Sequence, residues 1–178
     1  MAALLSAVVV VGLVTALNLV LTAGMIRRIK DHEQRLSEIG TGEGEAPAAQ
    51  PPVGAPVPDF TVSTTTGQQI TNTELGKDGY IGFFAVGCPP CEQQLPDFVR
   101  FLHSVDGTPA LIVIEAPTAE AAASYLAAAD GMPVVVDTGD GLVGRFGVNR
   151  FPSMAHLSDG VVAANAHTAA HLATRVLV

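Results

Sequence analysis

Apolar residues divide the chain into an unbroken run, a spaced seam, a gap and a patterned remainder. From Met1 to Ile26 no side chain is charged. As a helix this run would reach roughly 39 Å at about 1.5 Å per residue, more than the ~30 Å hydrocarbon thickness of a bilayer. Residues 1–26 are therefore expected to form a transmembrane anchor. The competing reading, a cleaved secretory signal, calls for a basic region ahead of a shorter apolar core, and no Lys or Arg precedes this run. Ile26, Ile29, Leu36 and Ile39 then recur with charges between them, which predicts a juxtamembrane helix over 27–39, too short to specify a coiled coil. Between 40 and 56 the periodicity disappears. Pro47, Pro51, Pro52 and Pro56 alternate with glycine and alanine, the composition of an extended linker.

From residue 57 to 178 the pattern returns as one domain. Asp59 to Val62 alternates, Thr66-Gly67 marks a turn and Gln69 to Thr71 can return, so a hairpin opens the domain. Tyr80 to Ala85 is an apolar strand, and Leu95, Phe98, Val99 and Leu102 share one face of a following helix. Leu111 to Ile114 and Pro133 to Val136 read as strands buried on both sides. An Ala-rich helix is expected from Thr118 to a glycine stop at Asp130-Gly131, and a short one from Gly141 to Phe146. Met154 to Leu157 and Val161 to Ala164 flank the turn Ser158-Asp159-Gly160, and His167 to Val178 closes the chain as a helix. Strands alternating with helices and ending in a hairpin predict a mixed α/β fold.

Composition narrows the function. The mean hydropathy of +0.39 reflects the N-terminal run. The net charge of −8 has the wrong sign for a chain that binds by neutralising phosphates, so nucleic acid is not an expected partner. The only two cysteines, Cys88 and Cys91, form one Cys-x-x-Cys, leaving none for a bridge elsewhere or for a four-thiolate zinc site. They follow a strand and open a helix. There Cys88 would meet unpaired backbone N–H groups and the positive end of the helix dipole, which favour a thiolate. Pro89 and Pro90 fit the first turn, where a missing N–H costs little, and set Cys91 one turn behind Cys88. Cys88 is the expected attacking thiol and Cys91 the resolving one, linked by a redox-active disulfide. His103, His156, His167 and His171 have no ligand spacing with the cysteines, and no metal or cofactor is expected.

The cysteine motif with Leu95-Pro96 behind it, then Pro133 to Asp137, Phe146-Gly147-Val148, Phe151-Pro152 and Asp159-Gly160, resembles the thioredoxin superfamily. Within it, the order is similar to the TlpA-like membrane-tethered thiol-disulfide oxidoreductases, including the MauD-like accessory proteins of methylamine dehydrogenase maturation. The likeness covers about residues 56 to 165. It implies a thioredoxin-like mixed central sheet flanked by helices, with an N-terminal hairpin and an extra inserted strand at Pro133 to Asp137, preceded by one transmembrane helix. It further implies that Pro152 is cis beside the cysteines and that the backbone of Phe151 binds an extended partner. The implied activity is protein thiol-disulfide exchange with partners that bear cysteines or disulfides, in maturation of a secreted or redox enzyme.

Two positions depart from the family pattern. Gly87 stands where a Trp usually precedes the first cysteine, and Gly82 stands where thioredoxins proper keep a buried acid. Proton transfer at Cys91 then needs another group. Glu92, in the first helical turn, and Glu115, at the end of an apolar strand, are the candidates, though an acid suits either place for dipole or solvation reasons alone. The alternative function is a metallochaperone holding Cu(I) on Cys88 and Cys91, with His156 as the only nearby third ligand. Arg27, Arg28, Lys30 and Arg35 follow the expected anchor, and the positive-inside rule alone would put the domain in the cytoplasm. The family likeness implies an extracytoplasmic domain, and that is the expectation adopted.

Overall fold

The computed structural model describes residues 50–105, 107–139 and 141–176. The expected anchor, juxtamembrane helix and all but the last seven residues of the expected linker lie outside the described residues. Among the described residues no helix is long and apolar enough to cross a membrane.

Two short strands, β1 (Thr61–Ser63) and β2 (Gln69–Thr71), pair antiparallel as the expected opening hairpin. A one-turn helix α1 (Asn72–Leu75) follows, capped by the Thr71 hydroxyl, which accepts from the Glu74 N–H. The central sheet then forms from β3 (Asp78–Ala85), β4 (Ala110–Glu115), β5 (Val134–Asp137), β6 (Ser153–Ser158) and β7 (Val161–Ala166). Its strand order is β5-β4-β3-β6-β7, parallel on the β5 side of β3 and antiparallel on the β7 side. The helices are α2 (Pro89–Ser104), α3 (Ala123–Ala128), α4 (Leu142–Arg145) and α5 (Ala169–Val176). The extra strand expected near Pro133 is β5, and it forms the sheet's outer edge beside β4.

The central strands are apolar on both faces because both faces are covered. Tyr80, Phe84, Ile112, Ile114 and Met154 pack with Leu95, Phe98 and Leu102 of α2, Tyr125 of α3 and Leu172 of α5. Ile81, Phe83, Leu111, Val113 and Leu157 point the other way, onto Phe60, Ile70, Leu75, Leu142 and Phe146. Each edge is protected. Thr65 donates its N–H to Val134 O at 2.8 Å on the β5 side. Residues 51–56, rich in the prolines that read as linker, run along β7: Gly54 N–H reaches Val162 O at 2.8 Å, Val162 N–H reaches Ala55 O at 2.9 Å, and Pro56 bridges Val161. Asn165 adds a side-chain bond to Pro51 O at 2.8 Å.

The expected helix from Thr118 to Asp130 is shorter than its composition suggests. It opens with a 3-10 turn at Glu120–Ala122 and is α-helical only over α3. An alanine run carries little periodic burial to hold a longer helix in one orientation. It ends as expected, with Asp130 and Gly131 both at positive φ.

Candidate active site

β3 delivers the chain to the C-terminal edge of the sheet, where Val86 and Gly87 lead into α2. Cys88 is the N-cap residue, with φ −102° and ψ 102°, and Pro89 and Pro90 fill the first turn. Cys88 and Cys91 are joined by a disulfide with their Cα atoms 5.2 Å apart. The Cys91 N–H lies 3.3 Å from Cys88 Sγ and 2.9 Å from Cys88 O, so a first-turn donor of the helix points at the outer cysteine. The two sulfurs differ in access: Cys88 is half-buried, whereas Cys91 is 0% exposed. An incoming thiolate can meet Cys88, and Cys91 waits behind it.

Both departures from the thioredoxin pattern have a local cause. Gly87 sits at φ +76°, a left-handed conformation that costs any side-chain-bearing residue energy. The space a Cβ would enter there is open. At Gly82 a Cβ would run into the Phe98 ring and come within 2.9 Å of the Phe84 ring. Phe98 of α2 fills the volume that a buried acid at Gly82 would need.

The other expected site residues lie at the same edge. β6 begins opposite Phe83, which puts Phe151 and Pro152 beside the end of β3, and the Phe151–Pro152 bond is cis. Pro152 is buried and its carbonyl accepts from His167 Nδ1 at 2.8 Å. Glu115 ends β4 between Ala85 and Asp137 and lines a cleft with Ala85, Val86 and Thr138. Glu92 is exposed on α2, with its N–H 3.2 Å from Cys88 O.

His156 is not at this edge. It pairs across from Tyr80 near the opposite end of β3, roughly 16 Å of strand from Ala85 at about 3.3 Å per residue. Its Nε2 is 2.7 Å from Asp78 Oδ1 and its ring stacks on Tyr80 with centroids 4.9 Å apart. The third ligand required by the Cu(I) reading is thus remote from the cysteines.

Two residues at the site were not singled out from sequence. His167 is expected to open the closing helix, but it lies before α5 and holds the Pro152 carbonyl. Tyr125 of α3 is 4% exposed, and its hydroxyl makes no well-formed hydrogen bond, with the backbone of Cys88 beside it. Burial, the charge of Glu92 and the backbone of Cys88 all act on that hydroxyl; the first two outweigh the third and push its pKa up. The one sequence signal was an aromatic side chain, beside Leu126, in an otherwise alanine-rich segment.

The sequence model of the AhpC/TSA family matches residues 53–168. The thiol-disulfide oxidoreductase ResA of Bacillus thuringiensis is 26% identical over 106 residues, covering 57% of this chain and 61% of that protein, and ResA of Bacillus anthracis matches equally. The chain thus spans about three fifths of the length of the curated relatives it matches. Among solved structures, the thioredoxin domain of a thiol-disulfide oxidoreductase from Bacteroides vulgatus superposes with a TM-score of 0.60 at 17% identity, over 71% of this chain and 96% of that one. StoA from Bacillus subtilis superposes with a TM-score of 0.56 at 22% identity, over 72% and 98%. At these identities the superpositions establish a shared thioredoxin-like fold.

Proposed function

The chain belongs to the AhpC/TSA family of thioredoxin-fold proteins, and from that premise we propose that it is a membrane-tethered thiol-disulfide oxidoreductase that exchanges the Cys88–Cys91 disulfide with protein cysteines. One observation carries the reading: a disulfide at a helix N-terminus, with one sulfur accessible and the other sealed beneath it. The curated ResA relatives bear the same activity in their names.

The oxidised protein accepts a partner thiolate at Cys88 Sγ. The new intermolecular S–S bond forms as the Cys88–Cys91 bond breaks, and Cys91 leaves as a thiolate that takes up a proton. A second partner thiolate then attacks the partner sulfur of the mixed disulfide. The partner departs oxidised and Cys88 is left as a thiolate favoured by the helix N-terminus. Run backwards, Cys88 attacks a partner disulfide and Cys91 resolves the adduct. The backbone of Phe151, ahead of the cis Pro152, offers hydrogen bonds to the extended partner beside Cys88. Glu92 and Glu115 are the carboxylates in position to exchange the Cys91 proton through water.

The charge-free run 1–26 supports a single-pass tether, and the likeness to tethered oxidoreductases supports an extracytoplasmic domain that serves the maturation of a secreted or redox enzyme. Labelling intact cells with a membrane-impermeant maleimide after reduction tests the side: the domain is expected to label, and labelling only after lysis contradicts that placement.

The exchange itself is tested by trapping. Reduced Cys91→Ala protein, mixed with a peptide containing one disulfide, is expected to accumulate a one-to-one adduct through Cys88 that reducing agent releases. The same adduct is expected to persist longer in Glu92→Gln or Glu115→Gln protein than in the unsubstituted chain. Absence of any adduct with Cys91→Ala contradicts the proposal.

A further inference from the structure

Building on that exchange reading, we infer that the cleft between α2 and α3 beside the disulfide is a subsite for a lysine or arginine side chain close to the reacting cysteine of the partner polypeptide.

The cleft has a volume of about 320 Å³ and is lined by Glu92, Leu95, Ser124, Tyr125 and Ala128. It is contiguous with the reacting centre, since Glu92 follows Cys91 and its N–H bonds the Cys88 carbonyl. Its polar groups match one kind of visitor. Glu92 is exposed, and the ion pairs among the described residues, Arg100–Asp97, His103–Asp130 and His156–Asp78, leave it without a cation. Tyr125 brings a buried hydroxyl that has the Cys88 backbone beside it but no well-formed hydrogen bond, a situation that costs free energy until a better donor or acceptor arrives. An ammonium or guanidinium group supplies N–H donors to the Tyr125 oxygen and a positive charge to Glu92. The Leu95 and Ala128 side chains and the tyrosine ring give its methylene stem an apolar bed.

The alternatives fit less well. A partner carboxylate would face Glu92 and a chain of net charge −8. A metal ion would find one carboxylate, and no group of three or more ligating side chains occurs among the described residues. A wholly apolar side chain would leave both polar groups unsatisfied.

The test compares two dithiol peptides, identical except for lysine or glutamate beside one cysteine, as reductants of the oxidised full-length chain at low salt. The readout is the ratio of the two rates. Neighbouring charge alters the intrinsic reactivity of the peptide thiol, but that effect is the same for every protein variant. The lysine-to-glutamate ratio is expected to fall about two- to fivefold in Glu92→Gln, the upper range of an exposed ion pair. A smaller fall is expected in Tyr125→Phe, which keeps the ring and removes only the hydroxyl. An unchanged ratio in both variants, whatever their absolute rates, overturns the subsite alone. Failure of either peptide to reduce the unsubstituted chain overturns the exchange reading, and the subsite with it.

Discussion

Gly82 and Phe98 show how a single position can be decided by its neighbour. Because the Phe98 ring occupies the place of a Gly82 side chain, Gly82→Ala is expected to destabilise the domain by about 1–3 kcal/mol, as overpacking does. Urea denaturation of the full chain measures it. Phe98→Ala in the same chain should remove most of the added clash while introducing its own cavity, so the two costs should not add. Residue chemistry was largely legible in the sequence at the cysteines, because Cys-Pro-Pro-Cys after an apolar strand constrains local geometry strongly. Tyr125 was not legible as a site residue. Its relation to Glu92 depends on how α3 packs against α2, which no local pattern encodes. His156 misled for the converse reason: four residues from Pro152 in sequence, it is carried down the antiparallel strand β6 to the opposite end of β3.

At the scale of elements, the chain uses side chains to hold pieces too short to persist alone. The four-residue helix α4 is below any length that is stable in isolation. It is fixed by Asp137, a 4% exposed carboxylate at the end of β5 that accepts from Val143 N–H at 2.9 Å and Gly139 N–H at 3.2 Å. Asp137→Ala strands a buried Val143 N–H and is expected to cost roughly 1–3 kcal/mol, read as a lower urea midpoint. Asp137→Asn, which keeps an oxygen acceptor, is expected to lose less. The strands were the more legible elements, since β3, β4 and β5 are apolar runs bounded by Gly, Pro or charge. Helix α1 was not, because with one buried residue, Leu75, it has no period to read. The closing helix starts at Ala169, two residues later than its pattern suggests. Thr168 caps it by accepting from the His171 N–H.

At the scale of the whole domain, the sheet's order matters more than any one contact. Parallel strands β3 and β4 end at one edge, β6 begins there, and the disulfide with Glu92, Glu115 and Phe151-Pro152 therefore gather at that edge from three parts of the sequence. The family resemblance anticipated this gathering; composition and periodicity could supply only the elements. The central claim is that the two sulfurs have unequal roles imposed by this architecture. It is tested most directly by reducing the full-length chain, alkylating it with iodoacetamide across pH 5 to 10, and locating the label by fragmentation mass spectrometry. Cys88 is expected to react first, with a midpoint below the ordinary thiol value of about 8.5, while Cys91 stays protected. Equal labelling of the two cysteines, or a Cys88 midpoint at or above that value, would contradict the account.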